Sequence, residues 1–320
     1  MKFLKYSLTT IVIVLLVLYI WGKIYSIEEP LVANVRTADT TRIKADLLFI
    51  TKECHYRNYQ HLDALNKAAD YIKTEFIKIA PQVEEQKYFV QNNEYKNIIC
   101  SIGPANGERI IVGAHYDVCG NQEGADDNAS GVAALLELAR ALKNADLKYR
   151  IDFVAYTLEE PPFFRTEYMG SYIHAKYLHD NNIEVKGMIC LEMLGYYSNL
   201  ENSQHYPVGI MKWFYGDTAN YITLIQKFSN GEFGNTLTQI LKQEQYIRTK
   251  SFTGSSWIPG VDYSDHLNYW KFSYSALMVT NTSFYRNDNY HQPGDTFETL
   301  NIGNIGLVTD ELARAIKLVQ

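Results

Sequence analysis

From residue 109 to 194 the chain alternates apolar runs with helix-periodic stretches, and this alternation restricts the fold more than any other feature of the 320 residues. Residues 109–114, 150–157 and 187–194 read as strands, and 131–143 and 171–179 between them read as helices. Parallel strands need a crossover connection, and a helix supplies one, so this order builds a largely parallel sheet. The expected class is α/β, with a mixed, mostly parallel central sheet and helices on both faces. Functional side chains in such sheets collect at the carboxyl ends of the strands. Upstream, 62–79 carries a helical apolar stripe, and 86–90 with 97–101 suggests an antiparallel hairpin. A last helix over 305–319 closes the domain. Residues 201–259 read as an insertion bordering the cleft, with a strand at 208–214 and a helix at 235–245.

The first residues stand apart. Lys2 and Lys5 precede an uncharged apolar run from Tyr6 to Gly22, and no small-residue cleavage pattern follows it. A run of about 17 residues is at the short end of what spans a bilayer, and Tyr19 and Trp21 sit where an interfacial aromatic belt is expected. Residues 1–27 are therefore expected to be a membrane anchor helix, with the domain 28–320 outside the cytoplasm, or secreted if the segment is cleaved. The formal charge of −6 is spread along the chain with no basic stripe, which argues against nucleic acid as a partner. The 25 tyrosines suit either a polar-rimmed cleft or half-buried strands. Among the four cysteines, Cys100 and Cys190 lie in apolar runs, whereas Cys54 and Cys119 lie in polar segments and form the candidate pair if an exported chain makes a disulfide.

The strand ends carry the chemistry. His115 and Asp117 follow the strand 109–114 two residues apart, so extended backbone puts both on one face. Asp117 can then accept the spare ring N–H of His115 and fix its tautomer for metal binding. Gly124-Ala125-Asp126-Asp127-Asn128-Ala129-Ser130-Gly131 sets adjacent carboxylates at the start of an apolar helix. Capping and the helix dipole account for one or two of these residues but not for three in a row, and Asp127 is the candidate to bridge two cations. Glu159 and Glu160 end the strand 150–157, where one can ligate a metal while its neighbour acts as general base. Glu192 ends an apolar strand, and a glutamate in such a run is seldom buried without a partner. Ser264-Asp265-His266 and His291 supply two further histidines; His291, beside a turn, suits a ligand presented by a loop.

In this order the segments resemble the M28 family of metallopeptidases, which includes the bacterial leucine-type aminopeptidases, over roughly Leu62 to the C-terminus. The resemblance implies a zinc-exopeptidase-like fold, a peptide substrate and two Zn2+ ions. His115, Asp127 and Glu192 would hold one ion, and Asp127, Glu160 and His291 the other. Glu159 would be the general base and Asp117 the partner of His115. The implied activity is removal of N-terminal residues from peptides. The alternatives on the same fold are a glutaminyl-cyclase-like acyltransferase with one zinc and a non-catalytic peptide-binding protein. Three positions depart from the commoner pattern. The place of Glu192 is more often aspartate, the stretch from Pro161 to Met169 is longer than usual and is expected to shape the cleft, and His266 is expected to be a structural or cleft residue rather than a ligand.

Overall fold

The computed structural model describes residues 10–16, 37–243 and 246–319. Eight strands form one sheet: β1 (Val83–Val90), β2 (Asn93–Ile102), β3 (Arg109–His115), β4 (Arg150–Tyr156), β5 (Val185–Glu192), β6 (Ile222–Lys227), β7 (Thr249–Gly254) and β8 (Ala276–Thr280). Their spatial order is β1-β2-β4-β3-β5-β8-β6-β7. The centre, β4-β3-β5-β8, is parallel throughout. Antiparallel pairing occurs at β1/β2, β2/β4 and β6/β8, and the β1/β2 hairpin closes with Val90 opposite Asn93. The mixed α/β class expected from the sequence is the one observed.

Period-two alternation divides the core between the two faces of the sheet. Ile110, Val112 and Ala114 of β3 face a layer that includes Leu65, Leu135, Leu138 and Leu312. Those residues come from the helices Leu62–Ile77, Gly131–Leu142 and Ile302–Leu318. Ile111, Val154, Met188 and Cys190 face the opposite layer, where the helices Gly170–Asp180 and His266–Lys271 supply Leu178, Tyr269 and Trp270. Ile110, Ile111 and Val112 are fully buried, and each such side chain contributes about 1.5–3 kcal/mol. Gly113 is required by a close approach: a Cβ there would stand 2.2 Å from the Tyr156 ring.

Three expectations change. The segment 208–214 is not a strand; it makes a turn and the short helix Met211–Tyr215, and Val208, Ile210 and Trp213 are exposed. The segment 201–259 also contributes β6 and β7 to the edge of the main sheet. Cys54 and Cys119 are both free thiols, because Cys54 turns into the helical core beside Leu47 and Phe76 while Cys119 sits on a half-buried loop. The anchor expected over residues 1–27 lies largely outside the described residues, and among those described no helix is long and apolar enough to cross a membrane.

Candidate metal centre

β3, β4 and β5 end side by side, and each delivers its polar residues to one point. His115 is the last residue of β3, Glu192 the last of β5, and Glu159 and Glu160 follow β4 by a short turn. The backbone bends sharply at two of these exits, since Leu158 and Met193 adopt φ of +58° and +49°. Non-glycine residues rarely take such angles, and they persist where the surrounding structure over-determines them, commonly at functional sites. His291, with φ +56°, arrives from the loop before the last helix.

Asp127 is the hub. Its Oδ1 lies 3.3 Å from His115 Nε2, and its Oδ2 lies 3.1 Å from His291 Nε2. Glu192 Oε2 is 3.4 Å from His115 Nε2, and Glu160 Oε2 is 3.1 Å from His291 Nε2. Glu159 Oε2 stands back at 3.9 Å from His115 Nε2. All are buried except His291, which is about one quarter exposed. The nitrogen of His291 makes no hydrogen bond in spite of its two near carboxylates, and Glu160 Oε1 is also without a partner. Ligand atoms of His115, Asp127 and Glu160 lie within 4.8 Å of one another, and so do those of Cys119, Glu160 and His291. Buried nitrogen and carboxylate donors that converge this closely, with Glu160 Oε1 left without a partner, are a donor set that fits zinc.

The electrostatics agree with a site built around cations. Burial pushes Glu159 well above the usual carboxyl range, and Glu160 and Glu192 add to that. Burial, helped by Asp127, raises Glu160 to about 7. Burial also disfavours charge on Asp127, but the imidazoles of His115 and His291 overcome it and hold this carboxyl well below its ordinary value. The same contacts act on His115, where burial is outweighed by the Glu192 and Glu159 carboxylates and the imidazole is raised.

A ring of supporting residues holds the cluster. Asp117 Oδ1 lies 3.5 Å from His115 Nδ1, and the same carboxylate accepts the backbone N–H groups of Glu159 and Glu160 at 3.2 and 3.1 Å. Asp295 accepts the backbone N–H groups of Asp126 and Asp127 at 2.8 and 3.0 Å. Ser264 Oγ donates to Glu192 Oε2 at 2.6 Å. Asp126 does not face the cluster; its carboxylate accepts from Gly195 N, Asn281 Nδ2 and Asn287 Nδ2. Asn128 Oδ1 takes the capping role, accepting from Gly131 N at 3.1 Å. His266 is away from the donors: its Nε2 bonds to the Val261 carbonyl at 2.8 Å and its ring meets Trp270 edge-on. Sequence reasoning missed the roles of Asp295 and of buried Arg57, which binds the carbonyls of Tyr116, Glu123 and Gly124.

A cavity of about 250 Å³ opens beside the cluster, bordered by Asp127, Glu159, Glu160, Glu192 and His291. Its far wall is apolar and aromatic, with Phe164, Tyr206, Met211, Phe252, Ile258 and Met278 among its residues.

A mixed sheet presenting such a cluster at its strand ends defines the α/β fold of zinc-dependent exopeptidases. The profile described as Peptidase family M28 matches residues 97–316, and the chain belongs to that family. It is 40% identical over 290 residues to the Escherichia coli (strain K12) protein named "Uncharacterized protein YfbL", covering 88% of this chain and 89% of that one. It is 28% identical over 300 residues to a leucine aminopeptidase, so described with the qualifier "Probable", of Arthroderma otae, covering 88% and 72%. Among solved structures, LapA of Legionella pneumophila superposes with a TM-score of 0.68 at 20% identity, covering 88% of this chain and 73% of that one. The glutaminyl cyclase of Tannerella forsythia gives 0.63 at 19%, covering 88% and 99%. At these identities the likeness to the two structures shows the fold alone.

Proposed function

We propose that the protein is a zinc aminopeptidase with two ions, in which His115, Asp127 and Glu192 hold one and Asp127, Glu160 and His291 hold the other. The observation that carries this reading is the division of Asp127, one oxygen beside His115 and the other beside His291. A single-ion cyclase would need only one of the two donor groups, and here both are present. When bound, the zinc pair acidifies a water and polarises the substrate carbonyl. Glu159, on the cavity wall and 3.9 Å from His115 Nε2, takes a proton from the attacking water and returns it to the departing amine. Asp117 holds His115 in register and fixes the backbone of the two glutamates. The apolar wall supports an N-terminal residue with a large apolar side chain, whose α-amine would lie toward the carboxylates. We also infer that residues 1–27 anchor the protein, with the domain outside the cytoplasm; the uncharged run from Tyr6 to Gly22 supports this, and resistance of the full chain to alkaline extraction from membranes tests it.

The full chain should be assayed against free and N-blocked aminoacyl anilides and against glutaminyl peptides, with chelator and with zinc restored. Cleavage confined to free amines, lost with chelator and regained with zinc, is expected. Ring closure of N-terminal glutamine, or peptide binding without turnover, would overturn the aminopeptidase reading.

A further inference from the structure

Cys119 is a donor beside this cluster that the ligand set above does not use. Its Sγ lies within 4.8 Å of ligand atoms of both Glu160 and His291. The position is built rather than incidental. On one side Val118 N donates to the Arg57 carbonyl at 3.2 Å, and on the other the Gly120 carbonyl accepts from Asn58 Nδ2 at 2.6 Å. Arg57 itself is fully buried and pins the carbonyls of Tyr116 and Gly124 at 2.8 and 2.7 Å, so the loop between is held at both ends. A second observation points to a ligand at this spot. Glu160 is only 4% exposed, yet its Oε1 has no hydrogen-bond partner, and His291 Nε2 also has none. The His291 ring is fixed by stacking on Tyr290, with centroids 3.8 Å apart, so its nitrogen stays aimed at the same space.

We propose that Cys119 is a sulfur ligand of the second metal position, completing a set of Asp127, Glu160, His291 and a thiolate. The proposal rests on the two-ion reading above. On binding, the thiol proton passes to solvent and the sulfur lone pair enters the coordination shell, with no oxidation or reduction. A soft thiolate makes this position prefer zinc or cobalt to manganese and magnesium, whereas the His115 side keeps nitrogen and oxygen donors only.

Cobalt reports sulfur directly. The full chain and its Cys119→Ser variant should be freed of metal and titrated with Co2+, following bound metal per chain and the near-ultraviolet sulfur-to-cobalt charge-transfer band. Two ions are expected in the wild-type protein, with the band growing alongside one of them. The variant should bind the first ion unchanged, which also shows that it folds, and should lose the band. Its affinity for the second ion should fall at least about ten-fold, since loss of even an outer-shell partner costs ~10–100-fold. Two bound ions without the band would overturn the thiolate assignment and leave the two-ion reading standing. One bound ion and no band would overturn both.

Discussion

Asp117 accepts the backbone N–H of Glu160 at 3.1 Å, and this one carboxylate ties the end of β3 to the end of β4. The same group faces His115 Nδ1 and accepts from Glu159 N, so three residues of the cluster depend on it. Asp117→Asn keeps the shape but replaces an acceptor oxygen by a donor. Zinc affinity should fall by ~10–100-fold, as competition against a coloured chelator would show. Equal affinity would remove Asp117 from its positioning role.

Glu159 Oε2 stands 3.9 Å from His115 Nε2, farther than the oxygens of Asp127 and Glu192, and borders the cavity. For Glu159→Gln, kcat should drop by ~10²–10⁴-fold at unchanged zinc content. Loss of zinc along with turnover would make it a ligand instead of a base.

Ser264→Ala deletes the donor to Glu192 Oε2. Glu192 Oε2 then keeps only its approach to His115 Nε2 at 3.4 Å. Calorimetric zinc titration should show the His115 side weakened by about ten-fold or more, with the other side less affected.

Away from the site, Glu311 is buried and accepts from Tyr246 N, Ile247 N and Thr249 Oγ1. Burial raises its pKa to about 8, against an ordinary value of 4.5. The folded chain therefore holds this proton more tightly than the unfolded chain does. Its contribution to stability is complete below pH ~4.5 and is lost as pH rises through about 8. Glu311→Gln, which cannot ionise, should flatten the fall in urea midpoint between pH 5 and pH 8. A wild-type slope retained in the variant would exclude Glu311 as its source.

Gly113→Ala sets a methyl group 2.2 Å from the Tyr156 ring, which is itself tied through its hydroxyl to Tyr269 at 2.6 Å. Overpacking of this kind costs about 1–3 kcal/mol, and the melting midpoint should fall accordingly. An unaltered midpoint would mean that the ring has room to retreat.

The central strands are legible because each is a short apolar run between helical stretches, and this places His115, Glu159, Glu160 and Glu192 at strand ends; grouping them with Asp127 and His291 rests on the family resemblance, since a loop histidine carries no periodic signal. Partners remote in sequence carry no such signal. Asp295 reaches Asp127 across 168 residues, and Arg57 reaches Gly124 across 67. The run 208–214 reads as a strand because it is rich in apolar and aromatic residues, but Val208, Ile210 and Trp213 are exposed to solvent instead of alternating across a sheet. β6 and β7 escaped notice because parallel pairing at a sheet edge is decided by tertiary contacts rather than by residue type.

The Arg57 clasp bears on where an autonomous unit can be cut. The family match begins at residue 97, yet the donor for the carbonyls of Tyr116 and Gly124 lies 40 residues earlier by number, and the helix Thr40–Leu48 binds Arg140 through Asp46 at 2.6 Å. Each buried carbonyl stripped of its donor costs about 1–3 kcal/mol, against a total stability of roughly 5–15 kcal/mol. A fragment trimmed to the matched stretch would thus lose a large share of its margin together with the support of its metal loop. The smallest self-sufficient piece of this protein therefore starts no later than the helix Thr40–Leu48.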